Sequence, residues 1–370
     1  MRLHPRVLLS VAPLLIACAD GDAPESPELR EEPLIYGADD RLDYWQLTDP
    51  ARVQLADATA MLVSSADLAP VAGGMWQVDV SQSFADWFDL CPSEPYADQP
   101  APGWCTGFRV GPNLIATAGH CIGSSGECAQ TSFVFGFRMD DASTVRSVVP
   151  NDDVYRCAAI VARAETSTDD WAIIRVDRPI VGAKPTLPVR RFGKVGNGAP
   201  LVLAGYPGGL PLKVAAGATV RTNSHNNFFE TNVDAYGGNS GSPVVDAATG
   251  VVEGILVRGN SDFDYVASQG CYVSNECPDT GCPGWEDASR TTRFAGWIPC
   301  AASAECSDGN ACTVDVCDGA SRCSNTPLAC AAGTRCVEGA CVACQPRGAT
   351  CTASAQCCSG SCNTKKKKCN

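Results

Sequence analysis

One short segment of the chain has the composition of a nucleophile loop. Residues 237–243 read Gly-Gly-Asn-Ser-Gly-Ser-Pro, and the small residues allow a sharp turn that exposes the hydroxyl of Ser240. A serine attacks a carbonyl only when a neighbouring base takes its proton, and the oxyanion that forms needs hydrogen-bond donors. The backbone amides of Gly238 and Ser240 are the candidate donors. By itself, a glycine–serine run is more often a flexible loop, so a base must also be found.

Histidine is the natural base, and the chain has three: His4, His120 and His225. His4 lies in the N-terminal leader described below. His120 follows a predicted hairpin formed by residues 108–110, a turn at 111–113 and residues 114–117. His225 lies within the polar run 223–227, which is typical of an exposed turn. We therefore favour His120 as the base, with His225 as the alternative.

The base needs an acid to hold its ring in the correct tautomer. Asp169 and Asp170 immediately precede the apolar run 171–174, which predicts a strand. A carboxylate at the mouth of such a strand is partly buried, where an imidazolium can compensate its charge. Asp170 is preferred because it directly abuts the strand. Asp169 is the alternative acid, and a simple turn is the alternative for the pair.

Together, the three segments resemble the chymotrypsin-like (trypsin-fold) serine proteases in the order His, Asp, Ser and in local sequence. The resemblance covers roughly residues 75–299. It implies an endopeptidase with a triad of His120, Asp170 and Ser240, in a cleft between two antiparallel β-barrels, and a disulfide between Cys105 and Cys121. The run Gly-Asn-Ser-Gly-Ser-Pro resembles the bacterial glutamyl-endopeptidase branch more than the Gly-Asp-Ser-Gly-Gly-Pro of animal trypsins.

The same resemblance gives expectations about specificity and activation. Asp234 matches the base of the pocket for the P1 residue, where a carboxylate favours Arg or Lys, whereas Leu256 stands where glutamyl enzymes have a histidine. Val257 and Gly259 are expected to run beside the substrate backbone. Asn239 stands where animal members carry the aspartate that pairs with a newly cut N-terminus. We therefore expect that activity does not depend on that ion pair.

The rest of the pattern indicates an all-β class. Asp49 as N-cap and Pro50 at the first helical position predict one short helix over residues 51–61. Beyond residue 75, short β-rich runs are separated by Gly, Pro, Asn and Asp, without a long amphipathic helix. The predicted strands include residues 131–137, 171–176, 200–204, 244–245 and 251–257.

Cysteines mark a separate C-terminal region. The chain has 23, and 14 of them lie from Cys300 onward, in a tail that has almost no large apolar residues. Such small modules fold when disulfides replace a core, and disulfides require an oxidising compartment. The last six resemble the knottin pattern, although spacing alone allows 15 connectivities. That resemblance implies the pairs Cys344–Cys358, Cys351–Cys362 and Cys357–Cys369.

Residues 1–17 have the features of a signal peptide, with Arg2 and Arg6 before a short apolar run. The run is shorter than the roughly 20 apolar residues of a membrane-spanning helix. Residues 15–18 resemble a lipobox ending at Cys18, and removing this cysteine from the count leaves an even number. Cys18 is therefore a candidate lipidation site and membrane attachment, with an ordinary signal peptide as the alternative. We expect an exported bacterial protein of the cell envelope or the extracellular space.

The predicted organisation is a signal peptide (1–17), a tether (18–33), an N-terminal prosegment or extension (34–74), a protease domain (75–299), a cysteine-rich module (300–343) and a knottin-like module (344–370). A net charge of −13 disfavours nucleic acid as a partner. We expect a monomer that acts on proteins or peptides without a metal or cofactor. The rival is an inactive, protease-like binding protein of the cell surface. For the tail, attachment or substrate recruitment is favoured over protease inhibition.

Overall fold

The computed structural model describes residues 35–259, 261–278, 282 and 284–370. The predicted signal peptide, the tether and Cys18 lie outside these residues. Among the described residues, no helix is both long and apolar enough to cross a membrane.

The described residues form mainly short strands. The helices are α1 (Pro50–Asp57), α2 (Phe84–Phe88) and α3 (Ser125–Gln130). The strands up to residue 176 are β1 (Ile35–Tyr36), β2 (Leu42–Asp43), β3 (Thr59–Ser64), β4 (Leu68–Val71), β5 (Met75–Val78), β6 (Cys105–Gly111), β7 (Leu114–Thr117), β8 (Thr131–Phe135), β9 (Val148–Pro150), β10 (Val154–Glu165) and β11 (Asp170–Val176). Those up to residue 290 are β12 (Pro200–Gly205), β13 (Lys213–Thr222), β14 (Phe228–Thr231), β15 (Pro243–Asp246), β16 (Val252–Arg258), β17 (Phe263–Val266), β18 (Cys271–Ser274), β19 (Glu276–Cys277) and β20 (Glu286–Arg290). The tail contains β21 (Thr313–Cys317), β22 (Cys323–Pro327), β23 (Thr334–Val337), β24 (Ala340–Ala343), β25 (Cys362–Asn363) and β26 (Lys368–Cys369).

The first barrel closes in the order β10-β11-β7-β6-β3-β8, with every neighbouring pair antiparallel. Its interior is apolar, and the side chains of Phe108, Ile115, Phe133 and Ile173 are fully buried. Strands β6 and β7 form the predicted hairpin, with Phe108 opposite Ala116. This hairpin delivers the His120 segment to the barrel rim.

The second barrel closes in the order β12-β15-β16-β20-β14-β13, because β13 also pairs with β12. Its core includes Phe229, Val244, Leu256 and Ala288, all of which are buried. Two closed, six-stranded antiparallel barrels confirm the predicted all-β fold class. The Ser240 loop lies just before β15.

The predicted helix over residues 51–61 is wrong at its C-terminal end. The Asp49 side chain accepts a hydrogen bond from the Ala51 amide at 2.9 Å, as an N-cap does, but the helix ends at Asp57. Residues 59–64 instead form β3, which pairs with both β6 and β8 and closes the first barrel. Burial between two strands outweighs the high helix propensity of the Ala-Met-Leu sequence. The barrel therefore begins before residue 75, where the sequence analysis starts the protease domain.

The N-terminal segment 35–43 also belongs to the barrel structure. Strand β2 extends the second barrel's sheet by pairing with β13. The buried Lys213 ammonium donates to Asp43 Oδ1 at 2.6 Å and to Gln99 Oε1 at 2.7 Å, and burial lowers the pKa of Lys213 to about 8. Removing this segment would leave a buried ammonium without its carboxylate, which is strongly destabilising.

Eleven disulfides join every cysteine from Cys91 to Cys369. The protease region contains Cys91–Cys271, Cys105–Cys121, Cys128–Cys157 and Cys277–Cys282. The first tail module contains Cys300–Cys317, Cys306–Cys323, Cys312–Cys336 and Cys330–Cys341. The last six cysteines form the pairs that the knottin resemblance implies: Cys344–Cys358, Cys351–Cys362 and Cys357–Cys369. This number of disulfides indicates folding in an oxidising compartment.

Candidate active site

His120 and Asp170 are joined at the rim of the first barrel. His120 Nδ1 lies 2.7 Å from Asp170 Oδ2. The other carboxylate oxygen, Oδ1, accepts the backbone N–H groups of Gly119 at 2.6 Å and His120 at 3.1 Å. Three donors thus satisfy a carboxylate that is only 5% exposed. The bond to Nδ1 leaves Nε2 of the ring available as a proton acceptor.

Glycine is required beside the histidine. A Cβ atom at residue 119 would lie 2.1 Å from the carbonyl oxygen of Ala164 and 3.0 Å from Asp170 Oδ1. Any side chain would push the histidine turn away from the carboxylate. The Gly119 carbonyl is held from the other side by Arg163 Nε, which donates to it at 2.7 Å. The turn is therefore fixed at both its amide and its carbonyl.

The alternative base and acid lie elsewhere. Asp169 accepts hydrogen bonds from Arg293 Nε at 2.7 Å and from Asn227 Nδ2 at 2.8 Å. His225 stacks on Phe228, with the ring centroids 4.1 Å apart. His120 and Asp170 are the predicted pair that the structure brings together.

A residue of the first barrel fixes the Ser240 loop of the second. Thr106, which is fully buried, donates its hydroxyl to the Gly238 carbonyl and its amide to the Ser240 carbonyl, both at 2.8 Å. Gly238 and Gly241 have φ values of 86° and 93°, in the region that favours glycine. A Cβ atom on Gly241 would lie 1.9 Å from the Thr106 carbonyl oxygen. The sequence analysis missed Thr106, because its hydrogen bonds span more than 130 residues.

Ser240 and His120 line one open cavity of about 550 Å³. The amides of Gly238 and Ser240 donate to no other described residue, so both are available to an incoming oxygen. Among the described hydrogen bonds, none joins the Ser240 hydroxyl to the His120 ring. Catalytic hydrogen bonds are often long in ligand-free enzymes and shorten in the substrate complex.

The structure places the carboxylate of Asp234, the residue predicted at the base of the P1 pocket, against the N-terminal segment. Its two carboxylate oxygens accept the backbone amides of Tyr36 at 2.8 Å and Asp40 at 3.0 Å, and the residue is 4% exposed. The N-terminal segment thus caps the carboxylate with two backbone donors. Burial raises the pKa of Asp234 to about 6.

Three further acids lie in this region and were not found from the sequence. Burial, with the neighbouring Asp234, raises the pKa of Asp40 to about 7. Asp262 accepts the amide of Gly237 at 2.9 Å, and burial raises its pKa to about 6. Burial, with the charge of Asp262, raises the pKa of Glu286 well above its usual range. No local motif marks these residues, which come from three separate segments.

The remaining predicted site residues flank these acids. Val257 is buried in β16, and Gly259 follows the strand. A Cβ atom on Gly259 would lie 2.2 Å from Glu286 Oε2, so glycine is needed for the carboxyl group to fit. The buried Asn239 accepts a hydrogen bond from Ser242 Oγ at 3.2 Å. Its side-chain oxygen is thus used within the nucleophile loop.

Comparisons with known proteins agree with the fold and the motifs. Residues 105–255 match the family model described as the trypsin-like peptidase domain. A glutamyl endopeptidase of Bacillus licheniformis is 28% identical over 160 residues, which are 40% of this chain and 46% of the relative. The chain thus matches about half the length of that relative.

Two solved structures are similar to the chain. One is a Glu endopeptidase, at 18% identity and a TM-score of 0.39, covering 71% of this chain and 98% of the other. The second is human heparin binding protein, at 14% identity and a TM-score of 0.42, covering 66% and 91%. The family match confirms the resemblance predicted from the three motifs: residues 105–255 are similar to the trypsin-like peptidase domain.

Proposed function

We propose that the protein is an exported serine endopeptidase that cleaves peptide bonds through an acyl-enzyme on Ser240. The observation that carries the proposal is the 2.7 Å bond between His120 and the buried Asp170, beside a cavity that also contains Ser240. The similar protein of Bacillus licheniformis is a glutamyl endopeptidase, which supports peptide-bond hydrolysis as the reaction.

In the acylation step, Ser240 Oγ attacks the carbonyl carbon while His120 Nε2 takes its proton. The imidazolium that forms is stabilised by the Asp170 carboxylate at Nδ1. Negative charge develops on the carbonyl oxygen, and the amides of Gly238 and Ser240 are the proposed hydrogen-bond donors to it. His120 then donates the proton to the leaving amine as the C–N bond breaks.

In the deacylation step, water takes the place of the leaving amine. His120 removes a proton from the water, which attacks the acyl carbon. The proton returns to Ser240 Oγ as the ester bond breaks. The hydrogen bonds from Thr106 support both steps, because they hold the loop that carries Gly238 and Ser240.

A fluorophosphonate probe tests this proposal directly. The probe should label the intact protein at Ser240, and Ser240→Ala should abolish labelling and peptide hydrolysis together. Ser224→Ala, which removes an exposed hydroxyl outside the site, is the matched control and should behave like the wild type. A correctly folded wild-type protein that is neither labelled nor active would instead favour the inactive, protease-like binding protein.

Export and lipidation form the second part of the proposal. The support is the charged and apolar leader, the lipobox-like residues 15–18, and the pairing of all 22 other cysteines. Cells fed a radioactive fatty acid should yield labelled wild-type protein and unlabelled Cys18→Ser. Equal labelling of the two proteins would exclude lipidation at Cys18 and leave an ordinary signal peptide.

A further inference from the structure

The cavity beside His120 lies on one side of the nucleophile loop. Strand β16 contacts the nucleophile loop from the opposite side, where Leu256 accepts the Gly241 amide at 2.7 Å and donates its own amide to Ser242 at 3.0 Å. No residue of β16 lines the cavity, which lies on the side of His120, Cys121 and α3. Because His120 protonates the leaving amine, the residues that follow the scissile bond must enter this cavity.

The cavity presents one carboxylate and one aromatic surface to that part of the substrate. Glu127, on α3, receives the Gly123 amide on Oε2 at 2.6 Å, and its Oε1 accepts nothing from another described residue. Trp104, which directly precedes β6, is 39% exposed. A carboxylate with an exposed indole matches a cationic side chain, which gains both charge and cation–π attraction.

The positive charge nearest to Glu127 is already paired. Arg163 Nη2 and Glu127 Oε2 both approach the same face of Gly123. However, Arg163 is in direct contact with the Glu165 carboxylate and also donates to the Gly119 carbonyl. These three charged side chains therefore leave one net negative charge at the cavity.

The frame around the cavity is rigid. A disulfide from Cys128 to Cys157 fixes α3 to strand β10 of the first barrel. The Trp104 amide donates to the Leu62 carbonyl at 3.1 Å, and Cys105 next to it is joined to Cys121. Preorganised groups of this kind select among substrates without a large ordering cost.

We propose that Glu127 and Trp104 form a subsite that prefers Lys or Arg at the second residue after the scissile bond. This inference rests on the proposed endopeptidase function and concerns the leaving side of the same site. The carboxylate attracts the cation, and the indole covers its aliphatic stem. An acidic side chain at that position is repelled.

Acyl transfer isolates this subsite from the P1 pocket. The enzyme is acylated by the ester that it hydrolyses fastest in a panel of N-acetyl amino-acid p-nitrophenyl esters. Gly-Arg-amide, Gly-Gln-amide or Gly-Glu-amide then competes with water. The amine forms a C–N bond to the acyl carbon, the C–O bond to Ser240 breaks, and His120 passes the proton from the amine to Oγ. The ratio of peptide to free acid reports occupancy of the leaving side.

We expect Gly-Arg-amide to give a ratio about three- to fivefold higher than Gly-Gln-amide, with Gly-Glu-amide lowest, and this preference to shrink at high salt. Glu127→Gln keeps an acceptor for the Gly123 amide and should remove the difference between the Arg and Gln nucleophiles. Glu338→Gln removes the same charge from the tail and should leave it unchanged.

The outcomes separate this inference from the proposed function. Equal ratios for the Arg and Gln nucleophiles, with normal ester turnover, overturn the subsite and leave the endopeptidase function intact. A preference that survives in Glu127→Gln also overturns it. Failure of the folded enzyme to turn over any ester or to react with a fluorophosphonate overturns the proposed function, and the subsite with it.

Discussion

The two barrels bring carboxylates to the Ser240 region in opposite ways. In the first barrel, Asp170 accepts three hydrogen bonds, all from Gly119 and His120. In the second barrel, Asp234, Asp262 and Glu286 gather with Asp40 of the N-terminal segment. Within the described chain, Glu286 Oε1 and Asp40 Oδ1 are buried without any hydrogen-bond partner.

The comparison indicates that the number of hydrogen-bond donors around a buried carboxyl group, and not its residue type, decides which role the group can have. Asp170 has enough donors to compensate burial and can stabilise an imidazolium. The second group is short of donors and of positive charge: Arg41 forms a two-bond pair with Asp39 and also donates to Tyr236. Burial then favours the protonated form, which raises the pKa of Asp40 and Asp234 to about 7 and about 6.

The largest effect should come from the carboxylate of the first barrel. In Asp170→Asn, an amide replaces the carboxylate that accepts Nδ1–H of His120. The amide favours the wrong tautomer of the ring, and it has no charge with which to stabilise the imidazolium. We expect kcat to fall by about 10⁴-fold with the fold intact. Asp169→Asn is the matched control, because that residue faces Arg293 and Asn227, and its kcat should stay within a few-fold of the wild type. Steady-state kinetics on the same peptide decide the comparison, and equal losses in both variants would contradict it.

Local sequence was sufficient to predict this first group. The hairpin β6–β7, the turn that follows it and the aspartate that begins β11 are each encoded within a few residues. The short β-rich runs predicted the all-β class, and the resemblance carried by the three motifs implied the two barrels. The resemblance of the last six cysteines to the knottin pattern implied the three tail pairs. In each case, the signal lies in neighbouring residues or in a fixed spacing.

The second group could not be predicted, because it depends on contacts between distant segments. Asp234 is capped by Tyr36, 198 residues away, and that contact exists only because residues 35–43 join the second barrel. The helix expected to reach Met61 failed for the same reason: β3 is a strand only when β6 and β8 lie on either side of it. The conformational propensity of a short segment does not indicate which strands will lie beside it in the fold.

A medium-sized effect should appear in the pH dependence of stability. The pKa values of Asp40 (about 7), Asp234 (about 6), Asp262 (about 6) and Glu286 (well above its usual range) exceed those of an unfolded chain. The folded state therefore binds more protons near neutral pH. Stability from these groups is complete below about pH 4 and is lost as the pH rises through 6 to 7.

Glu286→Gln tests that assignment by thermal unfolding between pH 5 and pH 8. The wild type should lose thermal stability as the pH rises, and the variant should lose less, because one group that resists ionisation is gone. Glu338→Gln, in the tail, should follow the wild-type curve. A variant whose melting temperature falls with pH as steeply as that of the wild type would exclude Glu286 from the protonated group.

The smallest effect is expected for Asp234→Asn. The quantity measured is the preference of the enzyme among peptides that differ only in the P1 side chain. Each oxygen of Asp234 accepts an amide of the N-terminal segment, so we expect its side chain to contribute little to substrate contact. We expect the ratio of kcat/KM between peptides with Arg and with Ala at P1 to change by less than about twofold, in line with a small, indirect charge effect. The melting temperature should fall, because an asparagine amide cannot accept both backbone amides. A selective tenfold loss on the Arg peptide would instead place Asp234 in contact with the P1 side chain, in the role predicted from the sequence.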